Sequence, residues 1–547
     1  MTLEQIWIAG RWQAEPAPEG EIQSFNPRPG EALAPRFPIS GDATLRAALR
    51  AGRAAADELR GVATERIAAF LERCAANLEA QRDALVDSAH AETGLAKEPR
   101  LRNVELPRTV DQLRQAAAAA RSRSYCDAHI DTKLNIRSLR GPLGGPVAVF
   151  GPNNFPFAFN AVLGGDFAAA LAAGNPVIAK AHPGHLSTTR LLAQAASEAL
   201  TALDLPPASV QLMYALPPEL GLELVAHPDL GASAFTGSRR AGLRLKAAAD
   251  RAGKPIYLEM SAINPVFVLP GALRERASAI ARDLATSCTM GGGQFCTKPG
   301  VSVLLAGSEA EAFRAELGSL LLAAPAATLL AAQGADQIQA SLGLWTRHGA
   351  RVEHGGKRAA APAFGFENTL ASVPGKQFLE HSDALQAEAF GPVHLVVLAD
   401  SAAEMESIAA RLEGSLTGCI YSHTQGEDDA QYERLAASLR PRVGRLLNDK
   451  MPTGVAVSAA MNHGGPYPAT GHPGFTSVGL PSSIARFTAL HCYDQVREPR
   501  LPPELRDRNP GAGAGQAPST AASSIPERIW RCIDGEWTRA DVSPKAP

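Results

Sequence analysis

Five short apolar runs decide the fold of this chain: Pro146-Val-Ala-Val-Phe150, Pro176-Val-Ile-Ala-Lys180, Ser209-Val-Gln-Leu-Met-Tyr214, Ala232-Ser-Ala-Phe-Thr236 and Pro255-Ile-Tyr-Leu-Glu259. Between them lie Ala-rich stretches of helical character. Strands alternating with helices feed a parallel, doubly wound sheet, so the pattern predicts an α/β fold. Toward the C-terminus, a second run of alternating elements from about Asn264 to Asn448 predicts a second α/β domain, joined to the first near Glu259. Toward the N-terminus, Asp42 to Ser122 reads as helical. There Ile67, Phe70, Leu71, Cys74, Leu78 and Leu85 fall on one stripe, with Arg and Glu opposite, and Thr93-Gly94 supplies a stop.

At 547 residues the chain has room for roughly three to four domain-sized units. Its formal charge of -2, with 45% hydrophobic and 20% charged residues, offers no basic field for nucleic acid. The cysteines, at 74, 126, 288, 296, 419, 492 and 532, are odd in number and show no pair at structural-zinc spacing, which points to a reducing compartment. The start carries an acid where a signal peptide needs basic residues, and no apolar run reaches the length of a membrane span. The expectation is a cytoplasmic protein. Gly511 to Ser524 contains nothing to bury and reads as a flexible linker. It leads to Ile533-Asp-Gly-Glu-Trp537, an echo of Ile8-Ala-Gly-Arg-Trp12. The echo is either a recurring tight-hairpin signal or a terminal strand that docks elsewhere.

One stretch stands out chemically. In Gly291-Gly-Gly-Gln-Phe-Cys-Thr-Lys-Pro299, three glycines and a glutamine precede Cys296, a backbone able to bring both the sulfur and its own N–H against a ligand. An ordinary thiol is mostly protonated at neutral pH, so a nucleophilic Cys296 needs an activating environment. Cys288, in a helical stretch, reads as inert packing.

Several separated motifs together resemble the aldehyde dehydrogenase superfamily over nearly the whole chain: Gly151-Pro-Asn-Asn-Phe-Pro156, Phe235-Thr-Gly-Ser238, Leu258-Glu-Met-Ser-Ala-Ile-Asn-Pro265, Gly293-Gln-Phe-Cys-Thr297 and Glu388-Ala-Phe-Gly-Pro392. Lys180-Ala-His-Pro-Gly-His185 and His463-Gly-Gly-Pro-Tyr-Pro-Ala-Thr470 narrow the resemblance to the bacterial α-ketoglutaric semialdehyde dehydrogenases. NADP-dependent fatty aldehyde dehydrogenases share part of this pattern.

The resemblance implies that Cys296 attacks an aldehyde. It implies that Asn154 helps form an oxyanion hole, a donor worth roughly 3 to 4 kcal/mol, and that Glu259 activates the hydrolytic water. Each residue also has a plainer reading. Asn154 is placed to cap the next helix. Glu259 ends an apolar strand, where a lone Glu is ordinarily just solvated, although desolvation near a cleft would raise its pKa toward a useful value. For the dinucleotide, the resemblance points to Lys180, Phe235, Gly237, Ser238, Arg239, Glu388 and Phe390, although no Gly-x-Gly-x-x-Gly is present. As plainer readings, Lys180 is a solvated charge, and Glu388 and Phe390 lie on a surface turn. Where NAD-preferring relatives place a glutamate, this chain has Pro183, removing a repulsion of about 4 kcal/mol against a 2′-phosphate. NADP is therefore expected, with NAD possible, and His182 and Arg239 are candidates for the phosphate. His182 and His185 without a third ligand do not make a metal site, and none is expected.

The implied reaction is oxidation of 2,5-dioxopentanoate to 2-oxoglutarate. Fatty or aromatic aldehydes are the alternative substrates, and an inactive binding or structural relative is a remoter one. The implied organisation is a helical part of the cofactor domain over 1–123, oligomerisation strands over 124–142 and a dinucleotide-binding part over 143–258. A catalytic domain over 259–450 and a return segment over 451–483 follow, then an oligomerisation strand and tail over 484–510, the linker over 511–526 and a final element over 527–547. Association into a homodimer or homotetramer is expected, without nucleic acid or membrane.

Overall fold

The computed structural model describes residues 3–260, 262–510 and 528–542. The expected linker over 511–526 lies outside them. Among the described residues no helix is long and apolar enough to cross a membrane.

The five opening runs form strands Val147–Phe150, Val177–Lys180, Val210–Met213, Ala232–Thr236 and Ile256–Glu259, all parallel. Their apolar residues run without alternation because helices cover both faces, and Val147, Ile178 and Ala234 are wholly buried. Register aligns the carboxyl ends: Lys180 stands opposite Phe150, Phe150 opposite Phe235, and Thr236 opposite Glu259. In such a sheet the carboxyl edge is where ligands bind.

Two further strands complete this sheet, Ile6–Ile8 and Arg11–Gln13, added antiparallel beyond Val210–Met213. They lie within 1–123, expected as the helical part of the cofactor domain, but ahead of the Asp42 to Ser122 helical pattern. The Ile67 to Leu85 stripe is also two helices, Thr64–Ala80 and Arg82–Thr93, broken at Gln81, although all six stripe residues are buried. The predicted stop at Gly94 is a left-handed cap (φ 68°) whose N–H bonds the His90 carbonyl.

The second sheet is ordered Arg351–His354, Thr369–Pro374, Val393–Ala399, Val301–Leu305, Val266–Val268, Ser415–Tyr421 and Val443–Asn448, parallel except for its first strand. A third sheet pairs Thr488–Asp494, Ile136–Pro142, Ala128–Asp131, Arg531–Ile533 and Glu536–Thr538. Here the two readings of the tail merge. Asp534 and Gly535 are both left-handed (φ 50° and 91°), as are Ala9 and Gly10 (φ 51° and 77°), so the echoed sequence makes the same mirror-image hairpin turn twice. The second hairpin is docked as well, with Arg531–Ile533 parallel to Ala128–Ile130 and Arg531 wholly buried, its guanidinium donating to main-chain carbonyls that include Ala540 at 2.8 Å.

Candidate active site

The sulfur of Cys296 lies where three constructions meet. Its own loop leaves helix Pro270–Thr289 through Gly291, Gly292 and Gly293, all left-handed. A side chain on Gly293 would come within 2.3 Å of the Gly391 carbonyl, so the loop passes against Glu388–Pro392 only as glycine. Asn264 then anchors it: Nδ2 donates to the carbonyls of Cys296 (2.8 Å) and Lys298 (3.0 Å), while Oδ1 accepts from the N–H and hydroxyl of Thr417. Lys298 turns away from the sulfur. Its buried ammonium donates to the carbonyls of Val393 (2.6 Å) and Ala389 (3.3 Å), tying the cysteine loop to the loop that carries Glu388 and Phe390.

Glu259 arrives from the end of its strand, buried, and from the far side comes His463, also buried. His463 Nε2 lies 3.4 Å from Cys296 Sγ and 2.8 Å from Glu259 Oε1; the other carboxylate oxygen accepts from Ser477 at 2.9 Å. Burial alone would raise the Glu259 pKa, as its strand-end position suggested. His463 and the Ser477 and Cys296 hydrogen bonds overcome it, and the pKa is lowered. Burial and the Glu259 carboxylate hold the Cys296 thiol well above its usual range, so the resting sulfur carries its proton; beside it lies His463 Nε2, whose hydrogen points to the Glu259 carboxylate. Cys288, its thiol pushed up to about 12 by burial, is the inert packing residue expected.

Asn154, buried on the loop after Val147–Phe150, donates through Nδ2 to the Gln294 carbonyl at 2.9 Å, two residues before the sulfur. An amide nitrogen has two hydrogens, so one is left to point elsewhere. It is no helix cap: the next helix starts at Gly165 behind Gly164.

Of the residues expected at the dinucleotide, Lys180, His182, Phe235, Gly237, Ser238 and Arg239 lie along the carboxyl edge of the first sheet, and Glu388 and Phe390 on the loop before Val393–Ala399 of the second. Lys180 ends its strand with no hydrogen-bond partner among the described residues, and burial brings its pKa down to about 8. Ser238 caps helix Arg239–Arg251 through the Ala241 N–H. Gly237 sits where a side chain would meet the Phe235 ring at 2.8 Å. An unpartnered ammonium, a helix start and a strand edge without side-chain bulk fit an anionic dinucleotide. Arg239 is less available than its sequence position implied, because Glu413 pairs with its guanidinium at 2.7 Å. His182 Nδ1 accepts from the Gly184 N–H, and His185 Nε2 bonds the Pro152 carbonyl, so neither ring is poised for a metal. The donors of Glu259, Cys296 and His463, in contrast, all lie within 4.8 Å of one another, a set zinc accepts.

His463 and Ser477 were not singled out from the sequence for chemistry. Both lie in the stretch between Asn448 and Ser482, which contains no helix or strand. The one available signal was His463 at the head of a quoted motif.

A family model described as "Aldehyde dehydrogenase family" matches residues 12–466. α-Ketoglutaric semialdehyde dehydrogenase 2 of Azospirillum brasilense is 38% identical over 90% of this chain and 94% of its own. The α-ketoglutaric semialdehyde dehydrogenase of Acinetobacter baylyi is 36% identical over 81% and 84%. Among solved structures, Pseudomonas syringae aldehyde dehydrogenase C with NAD+ and octanal has a TM-score of 0.77 at 21% identity, covering 90% of this chain and 97% of that one. Escherichia coli lactaldehyde dehydrogenase has the same score at 20% identity, covering 90% and 99%.

Proposed function

Because the chain belongs to the aldehyde dehydrogenase family, we propose that it oxidises 2,5-dioxopentanoate to 2-oxoglutarate through a thioester on Cys296, with NADP preferred. The observation that carries the chemistry is the cluster of Cys296 Sγ, His463 Nε2 and the Glu259 carboxylate, all within 4.8 Å of one another. As the sulfur attacks the aldehyde carbon, its proton leaves to solvent water, and the Nε2–H of His463, held by the Glu259 carboxylate, donates to the sulfur. Charge building on the aldehyde oxygen meets the free hydrogen of the Asn154 amide and the Cys296 N–H. The bound dinucleotide supplies the hydride acceptor. Water, deprotonated by Glu259, then cleaves the thioester, and its proton restores the thiol; one water is consumed, and the product leaves as a carboxylate with release of a second proton to solvent.

Lys180, Phe235, Gly237 and Ser238 would hold the adenosine and pyrophosphate, and Glu388 and Phe390 the nicotinamide side. Pro183 three residues beyond Lys180 offers no carboxylate against a 2′-phosphate, and His182 stands beside it. The 124–142 and 484–510 strands, with the docked tail, are the surface through which we expect subunits to associate.

A second reading, medium-chain aldehydes, is favoured by the apolar cluster of Phe155, Phe159, Phe295, Val457 and Met461. Steady-state kcat/KM on 2,5-dioxopentanoate against the butanal-to-octanal series, with NADP and with NAD, decides between them. A large advantage for the dioxo acid with NADP is expected, and an advantage for octanal ends the substrate proposal.

A further inference from the structure

Beside that apolar cluster stands a cation with an unused donor. Arg108 lies in the first turn of helix Leu106–Ser122. Its guanidinium carbon is 5.2 Å from the centroid of the Phe159 ring and 5.6 Å from that of Phe155. Phe159 packs 5.9 Å from the His463 ring, and Phe155 packs edge-on, 5.2 Å away, against Phe295, the residue before Cys296. Packed rings thus link the guanidinium to His463 and to the residue beside the reactive sulfur.

Hydrogen bonding around Arg108 is incomplete. Nε donates to Gln112 at 3.1 Å, but Nη2 is buried without a partner. The carboxylate nearest in sequence, Glu105, is already engaged: Oε1 accepts from the N–H groups of Phe157 (2.9 Å) and Ala158 (3.0 Å), and Oε2 pairs with Arg100. Arg100 and Arg445 also leave Nε buried without a partner, but their terminal nitrogens are engaged. Arg100 reaches Glu105 and the Asn154 carbonyl, and Arg445 reaches the Pro452 and Gly454 carbonyls. A guanidinium stays charged in proteins, and a buried charged donor without an acceptor is costly unless a ligand supplies one.

We propose that Arg108 grips the carboxylate of the substrate, so that the site selects short aldehyde acids over neutral aldehydes of similar length. The proposal deepens the aldehyde dehydrogenase reading and rests on it. A carboxylate matches the planar fork of a guanidinium, which an alkyl terminus does not. A five-carbon chain, with four C–C bonds of about 1.5 Å each, places its two ends no more than roughly 6 Å apart. The acid therefore spans a short gap between sulfur and cation, with Phe155 and Phe159 flanking its methylenes.

The test is kcat/KM of the enzyme with its dinucleotide, on 2,5-dioxopentanoate and on the best neutral aldehyde from butanal to octanal, for wild type, Arg108→Met and Arg108→Lys. Arg108→Met is expected to cost about a hundredfold on the dioxo acid, mainly through KM, as when one partner of a buried hydrogen-bonded charge pair is removed. The neutral aldehyde should stay within about threefold, a difference of less than 1 kcal/mol. Arg108→Lys, which keeps the charge but loses the fork, should recover part of the acid's KM, and it keeps the test sharp if the Met variant fails to fold. Equal losses on both substrates, or none on the acid, would overturn the proposal. A wild-type enzyme inert toward every aldehyde would instead overturn the reading beneath it.

Discussion

Glu259 and His463 lie 2.8 Å apart but are held by different means. Glu259 is the last residue of a strand whose neighbour pairs with it residue for residue, Ser233 with Ile256 through Thr236 with Glu259. His463 belongs to a stretch with no ladder at all. Its N–H bonds the Thr476 hydroxyl at 2.8 Å, and its carbonyl accepts from the Ser477 N–H (2.9 Å) and hydroxyl (3.0 Å). The stretch is pressed so closely on strand Val443–Asn448 that a side chain on Gly444 would meet the Gly464 carbonyl at 1.8 Å. A strand end is fixed by repetition, and a coil by a few particular contacts. The first is redundant, whereas the second fails one bond at a time.

The two residues should also divide the chemistry. Glu259→Gln is expected to have the largest effect, lowering steady-state turnover about a thousandfold by removing the base for hydrolysis while keeping a stopped-flow burst of reduced cofactor. His463→Gln should cost about a hundredfold, and its loss should fall in the burst rate, because the sulfur has lost the donor that steadies its thiolate. If both variants slow the same phase, the division is wrong.

Ser477→Ala probes the coil's dependence on single bonds. It removes the one hydroxyl donor that lies between Glu259 and the His463 carbonyl, so turnover at neutral pH should fall by about tenfold, within the worth of a charged hydrogen bond. That donor helps lower the Glu259 pKa, so its removal should move the acid limb of the rate profile to higher pH. An unmoved limb would show that Ser477 does not govern the carboxylate. The smallest effect belongs to the strand edge. Lys180, brought down to about 8 by burial, loses its charge as pH rises through that value, and binding of the anionic dinucleotide should weaken several-fold over the same range. Calorimetric titration at pH 7 and pH 9 measures it, and in Lys180→Met the slope should vanish.

The same contrast explains what the sequence made legible. The five strand runs and the second α/β run could be read because period and composition are local properties, while Glu259 and Asn154 came only through the resemblance carried by their motifs. The N-terminal strands escaped because Ile6–Ile8 and Arg11–Gln13 are too short to show a period, and partnering with Val210–Met213 is a long-range fact. His463 escaped because its role is set by contact with residues 167 and 204 positions away. The Glu259 pKa was misjudged for the same reason: burial was foreseeable, but the partners that reverse it were not.

The central claim is that Cys296 carries the acyl group. Glu259→Gln, mixed with dinucleotide and 2,5-dioxopentanoate and quenched in acid after the burst, should show by mass spectrometry one acyl adduct per chain, on the peptide containing Cys296. An unmodified Cys296 peptide after a full burst, or an adduct on Cys288 or any other residue, would contradict it.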